Sequence, residues 1–154
     1  MSYKVTKGAD ERGAFQTFED LEVYKMARGF RKEMYAVARE LTEFEKFALA
    51  DQIRRAAVSL TNNMAEGHGR FHYPDQIRFF LHSRGSLQEL VDDLNVCADE
   101  NYLGPAEVER LKDTARDVLA LINGYMRYLR SRATSVREGE EEETESEPLQ
   151  PLPL

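Results

Sequence analysis

The fold of this chain is decided by residues 52–70, which read Q-I-R-R-A-A-V-S-L-T-N-N-M-A-E-G-H-G-R. Apolar residues recur there at the spacing of one helix face, and they are Ile53, Ala56, Ala57, Leu60 and Met64. A neighbouring stripe at the same spacing is polar, and it consists of Arg55, Ser59, Asn63, Glu66 and Arg70. The stretch therefore predicts an amphipathic helix whose core face adjoins a polar seam.

A second helix is predicted on the N-terminal side of this stretch. Its stripe alternates spacings of four and three, and it consists of Val23, Ala27, Phe30, Met34, Val37 and Leu41. Thr17 can cap it with help from Asp20, and Thr42 with Glu45 offers a capping box for the start of the quoted helix. A linker that short predicts that the two helices are antiparallel neighbours.

Glycine and proline mark the next boundaries. The quoted helix is expected to end at Gly67 and Gly69, because glycine tolerates the left-handed conformation at a helix C-terminus. Pro74 and Asp75 suit the first turn of a third helix. Its core face consists of Phe80, Ser83, Leu87, Leu90, Leu94 and Cys97.

Residues 101–104 break the third helix, and Pro105 starts a fourth. The core stripe of this last helix consists of Val108, Leu111, Ala115, Val118, Ile122, Tyr125 and Leu129. Four amphipathic helices joined by short loops predict an all-α, antiparallel, up-down-up-down four-helix bundle over residues 17–132.

Charge is distributed unevenly along the chain. Seven of the 28 acids lie in the last 17 residues, so residues 1–137 carry 21 acids and 21 bases and are neutral. Residues 1–16 lack periodicity and are expected to be flexible. Residues 133–154 are acidic and then proline-rich, which predicts a disordered tail. For this tail a solubilising role is favoured over that of a partner-binding peptide.

The cellular compartment follows from cysteine use and apolar runs. A single cysteine, Cys97, excludes an intrachain disulfide, fits a reducing environment and is expected to be a small core residue. The N-terminus lacks the apolar stretch of a signal peptide, and no run approaches the roughly 18 apolar residues of a membrane span. We therefore expect a cytoplasmic protein without a membrane partner.

Catalytic chemistry has little support in the sequence. A di-iron bundle needs Glu-x-x-His twice, and none of His68, His72 and His82 has a glutamate three residues before it. No glycine-rich phosphate loop follows a strand. The sequence therefore predicts no enzyme, no catalytic or metal site, no cofactor and no small-molecule substrate. A metal-dependent enzyme is the least favoured of the alternatives, and it would require stoichiometric metal in the purified protein.

Two kinds of interaction are better supported. A middle cluster of arginines, Arg54, Arg70, Arg78 and Arg84, is a candidate contact for nucleic acid, although the neutral body argues against strong non-specific binding. Apolar side chains also lie off the core stripes, at Tyr24, Tyr35, Leu81, Leu121 and Tyr128. More apolar surface than one bundle can bury indicates a subunit interface.

Three runs of this sequence carry a family resemblance. F-E-D-L-E-V-Y-K-M-A (18–27), the quoted stretch, and F-F-L-H-S-R-G-S-L-Q-E-L (79–90) together resemble the four-helix-bundle proteins encoded in intervening sequences of bacterial ribosomal RNA genes. The resemblance implies a homo-oligomer, a ring of five, with no established biochemical role. A related branch, the accessory variability determinant of diversity-generating retroelements, is a basic pentamer that binds nucleic acid and a reverse transcriptase. Nucleic acid or a reverse transcriptase is therefore an alternative partner here.

The polar seam leaves two interpretations open, a solvated face or a network between helices. If the chain turns between residues 68 and 75, Arg55 of the quoted helix and Glu89 of the third helix lie at about the same height in the bundle. The network interpretation predicts an ion pair between Arg55 and Glu89. Its members are Arg55, Ser59, Asn63, Glu66, Ser86 and Glu89.

Overall fold

The computed structural model describes the backbone of residues 17–146 and the side chains of residues 17–140. Most of this part of the chain forms four helices, α1 (Glu22–Glu40), α2 (Leu49–His68), α3 (Tyr73–Asp99) and α4 (Pro105–Ser146). Each helix packs against the next one along the chain, and α4 closes against α1. No strand occurs within the described residues, and the predicted all-α antiparallel four-helix bundle is confirmed.

The core lies where the four predicted stripes meet. Phe30 of α1, Leu60 of α2, Phe80 of α3 and Ile122 of α4 are fully buried. Burial of one such side chain contributes about 1.5–3 kcal/mol relative to leaving it in water. Leu41 is only partly buried, because it already lies beyond the end of α1. None of the described helices is apolar over the length that crossing a membrane requires.

The predicted cap before α1 forms in a separate short turn. Thr17 Oγ1 accepts a hydrogen bond from the Glu19 backbone N–H at 3.3 Å, and Asp20 Oδ2 accepts one from the Thr17 N–H at 3.2 Å. These bonds close a 3-10 turn at Phe18–Asp20 that leads into α1. The capping role of Thr17 and Asp20 is therefore confirmed, just upstream of the helix itself.

The predicted start of α2 at Thr42 is wrong. A 3-10 turn forms at Glu43–Glu45, the Thr42 side chain caps nothing, and α2 begins only at Leu49. Leu49 and Ala50 are the first buried residues after α1. A cap without a buried face cannot offset the cost of nucleating a helical turn, so the capping pattern was a misleading signal.

The end of α2 was predicted at the right place for the wrong reason. Gly69 has a φ of −78°, which any residue adopts, so the expected left-handed cap is absent from this glycine. Gly67 is required by packing, since a Cβ there would lie 2.7 Å from the Cβ of Phe79 on α3. The backbones of α2 and α3 therefore meet closely near this end.

The boundaries around α3 follow the sequence. Pro74 and Asp75 lie in its first turn, as predicted. After α3, Asn101 adopts a left-handed φ of 57°, which asparagine tolerates better than most residues. Pro105 then begins α4.

Helix α4 is longer than predicted. Bundle packing ends near Leu129, yet the helix continues past Arg132 to Ser146 with the side chains of residues 134–140 exposed. Glutamate is a good helix former, and extending a helix avoids the cost of a new nucleus. The first part of the segment 133–154 is therefore helical. Residues 1–16 and 147–154 lie outside the described residues, so the flexibility expected of them stays a prediction.

Candidate functional site

Small polar side chains of the seam connect α2 with α3. Ser86 Oγ donates a hydrogen bond to Ser59 Oγ at 2.8 Å, and Asn63 Nδ2 donates to the same oxygen at 3.0 Å. Nearby, the buried Ser83 Oγ donates to the Leu60 carbonyl oxygen at 2.8 Å. Ser59, Asn63 and Ser86 are thus the predicted seam residues that the structure brings together.

The expected ion pair between Arg55 and Glu89 does not form. Arg55 Nε lies 2.9 Å from Asp51 Oδ2, one turn earlier on α2, and the arginine side chain is 81% exposed. Residues four apart on a helix are neighbours, so Arg55 reaches Asp51 without crossing between helices. Glu66 is paired in the same way with Arg70 at 2.9 Å. The charged side chains of the seam on α2 therefore lie at its solvent edge.

A groove of about 510 Å³ lies beside the serine network. Its walls come from α2 and α3 and consist of Gln52, Arg55, Ala56, Ser59, Ser86, Glu89, Asp92 and Asp93. Because Arg55 is paired with Asp51, the three carboxylates of Glu89, Asp92 and Asp93 have no ion pair within the described part of the chain. We call this space the acidic groove.

Asp93 is the buried carboxylate of the acidic groove. The residue is 7% exposed, and among the described residues it has neither a hydrogen-bond donor nor a cationic partner. Its burial, followed by the negative charges of Asp92 and Glu89, raises the pKa of its carboxyl to about 6. Helical spacing alone places Asp93 on the same flank of α3 as Ser86 and Glu89, but its burial was not predicted, since an acid beside the apolar positions of a helix looks like an ordinary surface residue.

The acidic groove continues along α3 into a second space of about 500 Å³. The two spaces share Ser59, Ser86 and Glu89, and the second adds Asn63, Phe79, Leu81, His82 and Gly85. Leu81 is 38% exposed here. We call the part around Phe79 and Leu81 the apolar section.

On the other side of α2, the face of α1 beside it is basic. A groove of about 430 Å³ there is lined by Arg31, Lys32, Tyr35, Arg39 and Val58. With Arg28, the four cationic residues form a basic stripe around Tyr35 on one face of α1, about 16 Å long at 1.5 Å per residue. Lys32 and Arg39 form no ion pair with any described residue. The sequence already indicates this stripe, because bases recur at helical spacing with no acid between them on that face. The stripe was not recognised from the sequence.

Each of the four arginines singled out from the sequence has a polar side-chain partner, and only Arg70 and Arg78 share a contact within the described part of the chain. The pairs are Arg54 with Asp51 at 3.5 Å, Arg70 with Glu66 at 2.9 Å, Arg78 with Asp75 at 3.8 Å, and Arg84 with Asn123 at 3.1 Å. Arg70 and Arg78 also lie over the ring of Phe79. Their role as a nucleic-acid contact stays a prediction.

The predicted interface residues differ in exposure. Leu81 and Tyr128 are 38% and 41% exposed, whereas Tyr24, Tyr35 and Leu121 are partly buried against the core. Three phenylalanines are far more exposed, Phe44 and Phe47 at 86% and Phe71 at 90%. Phe44 and Phe47 lie in the linker before α2, and Phe71 lies between α2 and α3. The misplaced start of α2 hid the first two from the sequence analysis.

The histidines and the cysteine do not assemble into a reactive cluster. Burial lowers the pKa of His68, opposed by the charge of Asp20, while His72 and His82 are exposed. Cys97 is buried in the core as predicted, and burial, followed by Asp93 and Glu45, raises the pKa of its thiol to about 11. A thiol with so high a pKa is a poor nucleophile at neutral pH.

Comparison with models of known protein families identifies a match. Residues 19–124, more than half of the chain and most of the bundle, match the model of a family described as 23S rRNA-intervening sequence protein. No curated protein matches the chain. The matched range includes α2, α3, the acidic groove and the basic stripe.

Proposed function

The chain belongs to the 23S rRNA-intervening sequence protein family, and we propose that it is a non-enzymatic, homo-oligomeric scaffold that binds another macromolecule. The observation that carries this proposal is the exposure of Phe44, Phe47 and Phe71. Each phenylalanine left in water forgoes about 1.5–3 kcal/mol of burial free energy. A partner or a second copy that covers them recovers that free energy.

The exposed phenylalanines lie in the turns that connect helices. Phe44 and Phe47 precede α2 and Phe71 follows it, so they mark opposite ends of that helix. Leu81 and Tyr128 lie within α3 and α4 and are exposed on the bundle itself. We assign Tyr128 to contacts between copies, in the ring of five that the family resemblance implies, and the terminal phenylalanines to the partner.

The molecular mass in solution tests the proposed ring of five. Light scattering after gel filtration at micromolar concentration should give the mass of five chains. Tyr128→Ser should weaken association at least about tenfold, since it removes buried apolar area. Val136→Ser is the matched control, because Val136 is 48% exposed on the extension of α4. A monomeric wild type would contradict the proposal.

A second candidate function, nucleic-acid binding as an accessory protein of a retroelement or of a ribosomal RNA intervening sequence, is favoured by the basic stripe. Lys32 and Arg39 have no acidic partner among the described residues, and Tyr35 between them offers a ring for base stacking. The stripe lies on one helix, so its charges act together on a phosphate backbone.

Salt dependence tests this candidate. Fluorescence polarisation with single-stranded RNA should show affinity that falls with salt, and Lys32→Gln with Arg39→Gln should flatten the slope of log affinity against log salt by about 1.4, at about 0.7 per phosphate contact. Arg54→Gln with Arg78→Gln is the matched control of equal charge. A flattening by the control pair alone would place the contact at the arginines predicted from the sequence. No binding at low salt would exclude this class.

A further inference from the structure

We propose that the acidic groove binds the guanidinium group of an arginine side chain from another polypeptide. The site consists of Asp93 at its base, Glu89 one turn earlier on α3, and the hydroxyl groups of Ser59 and Ser86 beside them. It goes beyond the scaffold function, since it specifies what one surface recognises whatever the copy number.

The unpartnered carboxylate of Asp93 is the observation that points to a ligand. It is 7% exposed and has no hydrogen-bond donor among the described residues. A buried carboxylate without a partner is costly, and native proteins pair such groups. In the described range, every side-chain nitrogen or oxygen atom that is inaccessible to solvent has a hydrogen bond. The carboxylate oxygens of Asp93 have none, so they are accessible from the groove. A cation that enters the groove supplies the missing donor.

The chemistry of the groove favours an organic cation. No group of three or more described ligating side chains is placed to hold a metal ion. The space of about 510 Å³ is far larger than a bare ion needs. A guanidinium presents five N–H donors in a planar fork, which matches two carboxylates and the neighbouring Ser86 hydroxyl oxygen better than the point charge of an ammonium does. Its methylene stem can lie against Ala56.

The continuation of the groove favours a polypeptide over a free guanidine. The apolar section, with Phe79 and Leu81, adjoins the acidic groove and shares the two serines with it. A small free cation occupies only the acidic end. A peptide with an arginine and a nearby leucine places its cation among three carboxylates and its leucine on the apolar section.

NMR spectra of methyl groups test the site, and they can be recorded even for a large assembly. With alanine methyl groups labelled, the peptide acetyl-Leu-Gly-Arg-amide should shift the signal of Ala56, which lines the groove, and leave exposed Ala120 of α4 unmoved. The same peptide with citrulline, the neutral isostere of arginine, should bind at least about tenfold more weakly, because it loses charge-assisted hydrogen bonds. Equal binding of the two peptides would overturn the proposal.

Two variants connect the binding to named residues. Asp93→Asn should weaken the arginine peptide at least about tenfold, and Glu89→Gln, at an exposed position, should weaken it several-fold. Asp117→Asn, an exposed aspartate of α4, is the matched control and should not change binding. Unchanged affinity in both groove variants would refute the site. If free arginine amide binds as tightly as the peptide, the polypeptide source is wrong. A monomeric mass in solution would contradict the scaffold proposal and would not affect the evidence for arginine binding.

Discussion

Helix α2 meets its two neighbours in different ways. Toward α1, the buried Thr61 Oγ1 accepts a hydrogen bond from Arg31 Nη1 at 2.8 Å, so the buried polar group is satisfied. Toward α3, the backbone at Gly67 lies close to Phe79, yet Asp93 in the same interface has no partner among the described residues. The close backbone contact at Gly67 and the unpaired carboxylate of Asp93 therefore occur in one interface, although Phe79 and Asp93 lie about 21 Å apart along α3 at 1.5 Å per residue. Since tight packing does not explain an unpaired carboxylate, the α3 side calls for a functional account.

The largest effect is expected where α2 and α3 approach most closely. Gly67→Ala places a Cβ 2.7 Å from the Phe79 Cβ and 3.3 Å from the Gln76 carbonyl oxygen, and neither atom is the far end of a flexible side chain. The helices must separate, so we expect a loss of about 3 kcal/mol of unfolding free energy, measured by urea denaturation. Gly29→Ala, on α1 with nothing within 4 Å of its Cβ, should instead gain up to about 1 kcal/mol. Equal effects of the two variants would show that the contact with Phe79 is not what requires glycine at position 67.

The next effect is the pH dependence caused by Asp93. Its pKa rises from 3.8 to about 6 on folding, so its protonated form favours the native state. This contribution is complete below about pH 3.8 and is lost as the pH rises through about 6. At 1.36 kcal/mol per pKa unit, and discounted for the solvent that enters the groove, about 2 kcal/mol is lost between these limits. Asp93→Asn should therefore stabilise the protein at neutral pH and not in acid.

Urea denaturation across this pH window measures the difference between Asp93→Asn and wild type. The control Asp117→Asn should leave the pH profile unchanged, because Asp117 is exposed on α4. A constant difference between Asp93→Asn and wild type at every pH would show that the carboxyl titrates normally.

On the α1 side, removal of the satisfied contact should cost less. Thr61→Val keeps the shape of the side chain and removes the acceptor for Arg31. Arg31 is only partly buried and can turn to water, so we expect a loss of about 1 kcal/mol at any pH from 5 to 8. Thr134→Val, on the exposed extension of α4, should stay within about 0.5 kcal/mol of wild type. A loss as large as that of Gly67→Ala would mean that the α1 side is the more demanding interface.

The sequence predicted the architecture because helical periodicity is repeated over many residues. Phe30, Leu60, Phe80 and Ile122 each belong to a long stripe, so the stripe survives local exceptions. The boundary at Thr42 failed because a capping box is a local signal, whereas the first turn of α2 depends on burial at Leu49. Glycine at position 67 was recognised, but its cause lies in a contact with Phe79 that no local pattern encodes.

The candidate site was predictable only in part. The uncharged seam residues Ser59, Asn63 and Ser86 are brought together, since their spacing fixes the face of each helix. The spacing also places Asp93 on the flank of Ser86 and Glu89, but its lack of a partner was not predicted, because that depends on the absence of a donor across the interface. Periodicity gives the direction of a side chain and does not give its partners.

The smallest predicted effect concerns Arg55 and Glu89, where the sequence predicted a bridge between α2 and α3. Arg55 is 81% exposed and bonds to Asp51 at 2.9 Å, so its charge lies outside the acidic groove's buried end. A double-mutant cycle of Arg55→Ala and Glu89→Ala should give a coupling under about 0.3 kcal/mol, whereas the cycle of Arg55→Ala with Asp51→Ala should give about 0.3–0.5 kcal/mol, as exposed pairs four apart on a helix do. A coupling of 2 kcal/mol or more, on the order expected of a buried pair, would mean that Arg55 turns inward in solution. It would then neutralise the groove from within, and no external cation would be needed to explain Asp93.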